Sequence, residues 1–156
     1  MLLVVFQDSD TLSEPDFAPF PHEVEFMISA LEAGPRPVVD RQKMPRTRYR
    51  ARALLKLYSD AAEAPAALLY TRHVNRQAIG FVTSRHLTLS HGGMLRILDP
   101  QGKPIEIACT VLRCREVTPG WFEGAVYFNR QQAMFDAGEL AAIKEPAFLG
   151  QAASVA

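Results

Sequence analysis

The sequence has no hydrophobic run long enough to cross a membrane and no pattern of a secretory signal. Its apolar first segment, 1-MLLVVF-6, is far shorter than the roughly 20 apolar residues that a membrane-spanning helix needs. No basic segment precedes it, and Asp8 and Asp10 follow at once, which does not fit a secretory signal. We therefore expect a cytoplasmic protein without membrane contact.

Cysteines are also few. The chain has two, Cys109 and Cys114, in the strand-like segment 107-IACTVLRCREV-117. Residues an odd number apart on a strand point to opposite faces, so a disulfide between these two is geometrically unfavourable. We expect reduced, partly buried thiols, in agreement with a cytoplasmic location.

The usual catalytic and metal-binding patterns are missing. The sequence has no glycine-rich loop of the Walker type, and the neighbours Ser90 and His91 have no suitably placed acid. His86 and His91 lie five apart, as the cysteines do, but together they do not form the pattern of a usual zinc site. We therefore expect no enzymatic activity, no metal and no cofactor.

Charge is balanced over the whole chain but unevenly distributed. Of 17 acidic and 17 basic residues, residues 1–40 hold eight acids and one base. Subtraction leaves nine acids and sixteen bases for residues 41–156, so the leader is negative by seven and the body is positive by seven. This asymmetry predicts an anionic partner for the body, or a leader that neutralises it.

The acidic leader, residues 1–40, is punctuated by five prolines. Between them, the segment 22-HEVEFMISALEAG-34 has apolar residues at positions 24, 27, 28 and 31, which is a helical spacing. Pro21 suits an early helix position and Gly34 suits the residue after the helix. We expect one short amphipathic helix, followed by an extended segment over 35–40.

The body alternates strand-like segments with turns that contain glycine or proline. The strand-like segments, rich in β-branched and aromatic residues, are 49–59, 66–74, 78–84, 94–98, 105–117 and 121–128. Several short strands at this spacing predict a small antiparallel barrel. Apolar residues at a helical spacing then predict a C-terminal helix over 129–144, which Pro146 ends. The domain organisation we expect is a leader (1–40), a barrel with its C-terminal helix (41–145) and a flexible tail (146–156).

A basic segment, 41-RQKMPRTRYRARALLK-56, precedes the first full strand. It holds seven arginines and lysines and no acid. Arg46 and Arg50 are four apart, as are Arg48 and Arg52, and residues at even spacing on an extended chain share a face. Either pair would form a clamp of two guanidinium groups, which match phosphate oxygens and the O6 and N7 edge of guanine. A solvated basic strand edge is the alternative.

These features resemble the PilZ domain family. That family has an Arg-x-x-x-Arg segment before its first barrel strand and an [Asp/Asn]-x-Ser-x-x-Gly motif at the turn between the next two strands. Here Arg46 and Arg50 match the first motif, with Arg48 and Arg52 as a competing frame. His73, Asn75 and Ala78 occupy the motif positions of the second, in place of its carboxylate or amide, its serine and its glycine. The resemblance covers roughly residues 41–130.

The resemblance implies a mainly β protein, a small six-stranded antiparallel β-barrel to which the chain adds a short N-terminal helix and a C-terminal helix. It also implies a receptor for the bacterial second messenger cyclic di-GMP, with Arg46, Arg50, His73, Asn75 and Ala78 at the ligand. On this hypothesis the domain is non-enzymatic, the basic arm becomes ordered on binding, and a downstream protein partner receives the signal. Self-association into a homo-oligomer is also possible.

Two alternatives remain at this stage. The altered turn at 73–78 is compatible with a protein-interaction adaptor of the same fold that no longer binds nucleotide. A small barrel that binds single-stranded nucleic acid through its basic arm and aromatics is less favoured, and would show strong salt dependence without preference for a guanine dinucleotide.

Overall fold

Six antiparallel strands close into a barrel in the computed structural model, which describes residues 6, 17–34 and 45–150. The barrel strands run in the ring order β3–β2–β5–β6–β7–β4, and β4 pairs back with β3. A short additional strand, β1, pairs with the end of β3. The strands are β1 (Thr47–Arg48), β2 (Arg52–Leu57), β3 (Ala67–Val74), β4 (Ala78–Thr83), β5 (Gly92–Leu98), β6 (Pro104–Thr118) and β7 (Trp121–Phe128).

The predicted barrel is confirmed, and its six strands lie within a few residues of the predicted segments. Alternation of side chains places one face of each strand in the interior, as on β5, where Gly93, Leu95 and Ile97 are buried. Large apolar residues from every barrel strand fill that interior, among them Leu55, Leu69, Phe81, Ile97, Val111 and Val126.

Register irregularities interrupt the barrel on the side where β3, β4, β6 and β7 meet, at Thr71/His73 on β3 and at Val111/Arg113 and Glu116/Thr118 on β6, and the first two position the site. On β3, Thr71 pairs with Phe81 and His73 with Gly80, so Arg72 is an extra residue. On β6, Val111 pairs with Val126 and Arg113 with Ala125, so Leu112 is an extra residue. A bulge reverses the side-chain alternation beyond it, and so redirects the side chains that follow.

The second bulge corrects the prediction for the two cysteines. Cys109 is buried in the barrel core, and Cys114 also packs against that core. They therefore face the same interior and not opposite faces, because Leu112 inserts one residue between them. Both thiols are free, as expected.

The predicted N-terminal helix is confirmed as α1, His22–Ala33. Its apolar face, formed by Val24, Met27 and Ile28, is buried. This face packs outside the barrel in a cluster of its own, together with Phe20 and Val82 and, partly buried, Tyr70, Val117, Trp121, Ala18 and Leu31. The predicted extended segment 35–40 lies outside the described residues.

The C-terminal helix is present but much shorter than the predicted 129–144. Only Ala137–Ala141 form a helix, α2, after a 3-10 turn at Ala133–Phe135. Residues 129–132 instead bond to the barrel, since the N–H groups of Asn129 and Gln132 donate to the carbonyls of Ala108 and Arg76. The Asp136 side chain accepts from the N–H of Gly138 and so fixes the start of α2.

The segment after Pro146 is part of the core, which the prediction of a flexible tail missed. Ala147–Leu149 form a 3-10 turn, and Phe148 is buried. Its ring stacks on Tyr49, with centroids 5.1 Å apart, and closes one end of the barrel together with Phe135 and Leu140. Residues 151–156 lie outside the described residues.

Neither helix in the described parts of the chain has the combination of length and apolar character that crossing a lipid bilayer requires.

Candidate functional site

The turn between β3 and β4 is built by Asn75. This residue is buried, and its Oδ1 accepts from the N–H of Gln77 (2.8 Å) and of Ala78 (2.9 Å). Its own N–H donates to the carbonyl of Ala78. An asparagine that caps its own turn in this way fixes the path of the chain. Asn75 therefore shapes the site, whether or not it also contacts a ligand.

A small recess lies beside this turn, on the outside of the barrel. It encloses about 20 Å³ and is lined by Arg46, His73, Asn75, Ala78, Ile79, Gly80, Leu112, Arg113 and Ala125. That volume holds about one water-sized group. Four of the five predicted site residues line it: Arg46, His73, Asn75 and Ala78. The structure thus brings these four residues together.

His73 forms the wall of the recess against Gly80. A Cβ atom on Gly80 would lie 2.6 Å from the His73 Cε1. The imidazole ring therefore fills the space where any residue other than glycine would place its side chain. Burial, together with the smaller effects of the charges of Arg46, Arg72 and Arg113, lowers the pKa of His73 to about 4. The imidazole is therefore neutral at pH 7, and its Nε2 lies 3.4 Å from Arg46 Nη1.

A buried carboxylate lies beside the recess. Glu123 on β7 is 2% exposed and is surrounded by three arginines. Arg113 binds it through Nε and Nη2, Arg115 through Nε at 3.0 Å, and Arg72 through Nη1 at 3.4 Å. Burial alone would raise the pKa of Glu123, but the hydrogen bonds and charges of these arginines together hold it below its ordinary value.

The bulges explain how these arginines reach Glu123. Arg72 is the extra residue of β3, and the bulge at Leu112 turns Arg113 and Arg115 to the outer face of β6. There Arg115 lies directly opposite Glu123 across the strand pair. Arg46 lines the recess beside this cluster without a contact to Glu123 among those described. The four arginines and the one carboxylate together carry a net charge of plus three.

Arg50, the fifth predicted site residue, does not line the recess. It is 2% exposed and points to α1, where its Nη1 and Nη2 lie 3.5 and 3.4 Å from carboxylate oxygens of Glu25 and Glu32. The expected face shared by Arg46 and Arg50 would require one extended strand. The chain instead ends β1 at Arg48 and begins β2 at Arg52.

The competing pair, Arg48 and Arg52, makes backbone contacts elsewhere. Arg48 Nε donates to the carbonyl of Leu149 at 2.7 Å. Arg52 donates to the carbonyls of Phe17 and Pro19 and lies over the ring of Phe20. The described part of the basic arm is therefore tied to the barrel and to both flanking segments, although it was expected to be loose without ligand.

The remaining sequence candidates have structural partners. His91 Nδ1 lies 2.8 Å from the Ser59 hydroxyl, and His86 packs edge-on against Phe122. Trp121 packs in the cluster beneath α1. Among the described residues, no three side chains of the types that bind metals are grouped together.

Sequence reasoning missed Arg72, Arg113 and Glu123, because their meeting depends on two bulges. The second PilZ-like motif can also be aligned two residues later than His73. A frame beginning at Asn75 ends at Gly80, where a side chain would collide with His73. That frame matches the family pattern at its first and last positions, which the segment 75-NRQAIG-80 itself could have shown.

No family model matches the sequence, and no curated protein is significantly similar to it. One similar solved structure is that of the inhibitor of motility (MotI/DgrA) of Bacillus subtilis, with a TM-score of 0.47 and 15% identity. The match covers 70% of this chain and 52% of that one, so this chain spans about half of its length. Nothing about function follows from a similarity at this level.

Proposed function

We propose that this chain is a non-enzymatic receptor domain for cyclic di-GMP. The ligand would lie on the outer surface of the barrel, over the recess between Arg46 and the turn at Asn75–Ala78. Binding would change a surface that a partner protein recognises, in the cytoplasm of a bacterium. The residues that resemble the PilZ motifs suggest this ligand, and the barrel is the fold that the resemblance implies.

The observation that carries the proposal is the gathering of guanidinium groups at this recess. Arg46 and Arg113 line it, and Arg72 and Arg115 flank it through Glu123. Guanidinium groups bind phosphate oxygens and guanine edges in a bidentate manner, and cyclic di-GMP offers two phosphates and two guanines. A site that is positive by three suits a ligand with two negative charges.

The size of the recess determines how the ligand would be held. About 20 Å³ accepts a phosphate oxygen or the edge of a base, but not a nucleotide. Most of the ligand would therefore lie on the barrel surface. Tyr127, directly opposite Ala78 on β7 and 42% exposed, offers an aromatic face close by on which a guanine could stack.

A second candidate function is a protein-interaction adaptor that does not bind nucleotide. The burial of Arg50 against Glu25 and Glu32 favours it, since the resemblance gives Arg50 to the ligand. On this reading the partner binds the barrel edge or α1, where Phe26 is 79% exposed.

The proposal is tested by calorimetric titration of cyclic di-GMP into the wild-type protein and two charge-removing variants. Arg46→Ala is expected to bind cyclic di-GMP about ten-fold more weakly or worse, because it loses a charged hydrogen-bond donor to phosphate. Lys103→Ala removes the same charge from an exposed turn outside the recess, and is expected to bind within about two-fold of wild type. Equal losses from the two variants would contradict the site, and no binding by the wild type would favour the adaptor.

A further inference from the structure

We infer that α1 is a releasable cover over Arg50, held in part by Glu25 and Glu32, and that cyclic di-GMP competes with it for this guanidinium group. The inference rests on the proposed function and adds Arg50, which does not line the recess, as a further contact of the same ligand, with α1 controlling access to it. It also gives the acidic leader a role, as an internal occupant of a position that an anion would take.

The contacts of Arg50 are those of a covered anion-binding group. Its side chain lies between the ring of Phe20, 6.0 Å away, and the two carboxylates of α1. Its Nε is buried without a hydrogen-bond partner among the described residues. Burial and then the charge of Arg48 lower the pKa of Arg50, and the charges of Glu25 and Glu32 offset this only in part. A phosphate with several acceptor oxygens would serve it better.

An anionic ligand can replace the ionic hold on α1. Glu25 and Glu32 are seven residues apart and so share one face of the helix. Their distances to Arg50 are 3.5 and 3.4 Å, and their side chains are 36% and 44% exposed. Because Arg50 itself is buried, it needs a counter-charge, but the carboxylates lie on the side open to solvent, so an anionic ligand that takes their place would leave Arg50 paired.

The apolar hold is separate from the barrel core. The buried face of α1 packs against Phe20 and Val82 in its own cluster, outside the interior that Leu55 and Phe81 help to fill. Helix α1 can therefore leave without opening the barrel. Its departure would expose an apolar surface around Tyr70, Val117 and Trp121.

The intrinsic fluorescence of Trp121 shows whether α1 covers the barrel, without any added label. It is the only tryptophan in the chain and it packs in the cluster beneath α1. Release of α1 exposes its ring to water, which increases quenching of its fluorescence by acrylamide. The test compares the full-length wild type with Glu25→Gln/Glu32→Gln, which removes both charges and keeps the side-chain length. The control is Glu23→Gln, on an exposed position of the same helix.

Without ligand, the double variant is expected to show more Trp121 quenching than the wild type and the control. It should also bind cyclic di-GMP about two- to ten-fold more tightly, because less of the protein is covered. In the wild type, cyclic di-GMP should increase quenching with the same midpoint as binding. Melting followed by circular dichroism verifies folding, and Glu32→Gln alone serves if the double variant is unstable.

Wild-type quenching and wild-type affinity in the double variant would overturn the inference. Tight binding by the wild type without a change in Trp121 would also overturn it, while leaving the proposed function intact. Absence of binding in all three proteins would remove the proposed function and the competition with it. Ligand-free quenching would then still decide whether the two carboxylates hold α1 in place.

Discussion

Glu123 is the residue on which the geometry of the recess depends. Its carboxylate accepts hydrogen bonds from two nitrogens of Arg113, which fixes the orientation of that guanidinium group, and it also binds Arg115 and Arg72. A buried carboxylate with three partners keeps these cations close together, and so maintains a positive surface next to the turn at Asn75. We regard it as a positioning residue for Arg113.

Replacement of Glu123 is therefore expected to be costly. Glu123→Gln leaves three guanidinium groups without a counter-charge, and the free energy of unfolding should fall by about 3 kcal/mol. Urea unfolding measures this change. The matched control is Glu106→Gln, since Glu106 pairs with Arg96 but is 43% exposed, and its loss should cost less than about 1 kcal/mol. Similar losses from both variants would show that Glu123 is not a buried structural charge.

His73 predicts a pH dependence of stability. Its folded pKa of about 4 lies below the ordinary value of 6.5. Between these values the unfolded chain binds a proton that the folded protein does not, so stability is complete above pH 6.5 and decreases as the pH falls toward 4. His73→Gln should flatten the melting temperature over this window. His22→Gln, at an exposed position, should leave the pH dependence of the melting temperature unchanged. If His73→Gln also left it unchanged, the burial of a neutral imidazole would be contradicted.

Individual residues were predictable where the signal is local. The resemblance to short motifs sufficed to find four lining residues of the recess, Arg46, His73, Asn75 and Ala78. Arg113 and Glu123 were not found, because a bulge has no reliable pattern in a single sequence. Arg50 was placed at the recess because the break between β1 and β2 could not be seen.

At the scale of elements, strands were the most predictable part of the fold. Alternation, β-branched residues and turn residues located all six barrel strands, and helical spacing located α1. The C-terminal segment was not predicted well. Its apolar residues suggested one helix over 129–144, but they are divided between a 3-10 turn and the short helix α2, and tertiary contacts override helical spacing there.

The barrel closure yields a stability prediction. Phe148 is 1% exposed and stacks on Tyr49, so Phe148→Ala would leave a cavity at the end of the core. The free energy of unfolding should fall by about 3–4 kcal/mol, as measured by chemical denaturation. Leu89→Ala, at a 53% exposed position, should change it by less than about 0.5 kcal/mol. A small effect at Phe148 would mean that the segment after Pro146 is not part of the core.

For the whole molecule, the uneven charge distribution is partly explained by contacts. Two acids of the leader, Glu25 and Glu32, lie against Arg50 of the body. The positive surface around Arg46 and Arg113 lies beside the turn at Asn75, on the side of the barrel where the resemblance places the ligand. The leader thus covers one basic residue of the predicted clamp, while the other lines the recess.

The most direct test of this account is calorimetric titration of the wild-type protein with cyclic di-GMP, with GTP as the control. We predict saturable binding in the micromolar range or tighter, and no heat of binding with GTP. The absence of heat with cyclic di-GMP, together with an unchanged melting temperature, would contradict the receptor and leave the adaptor as the better description.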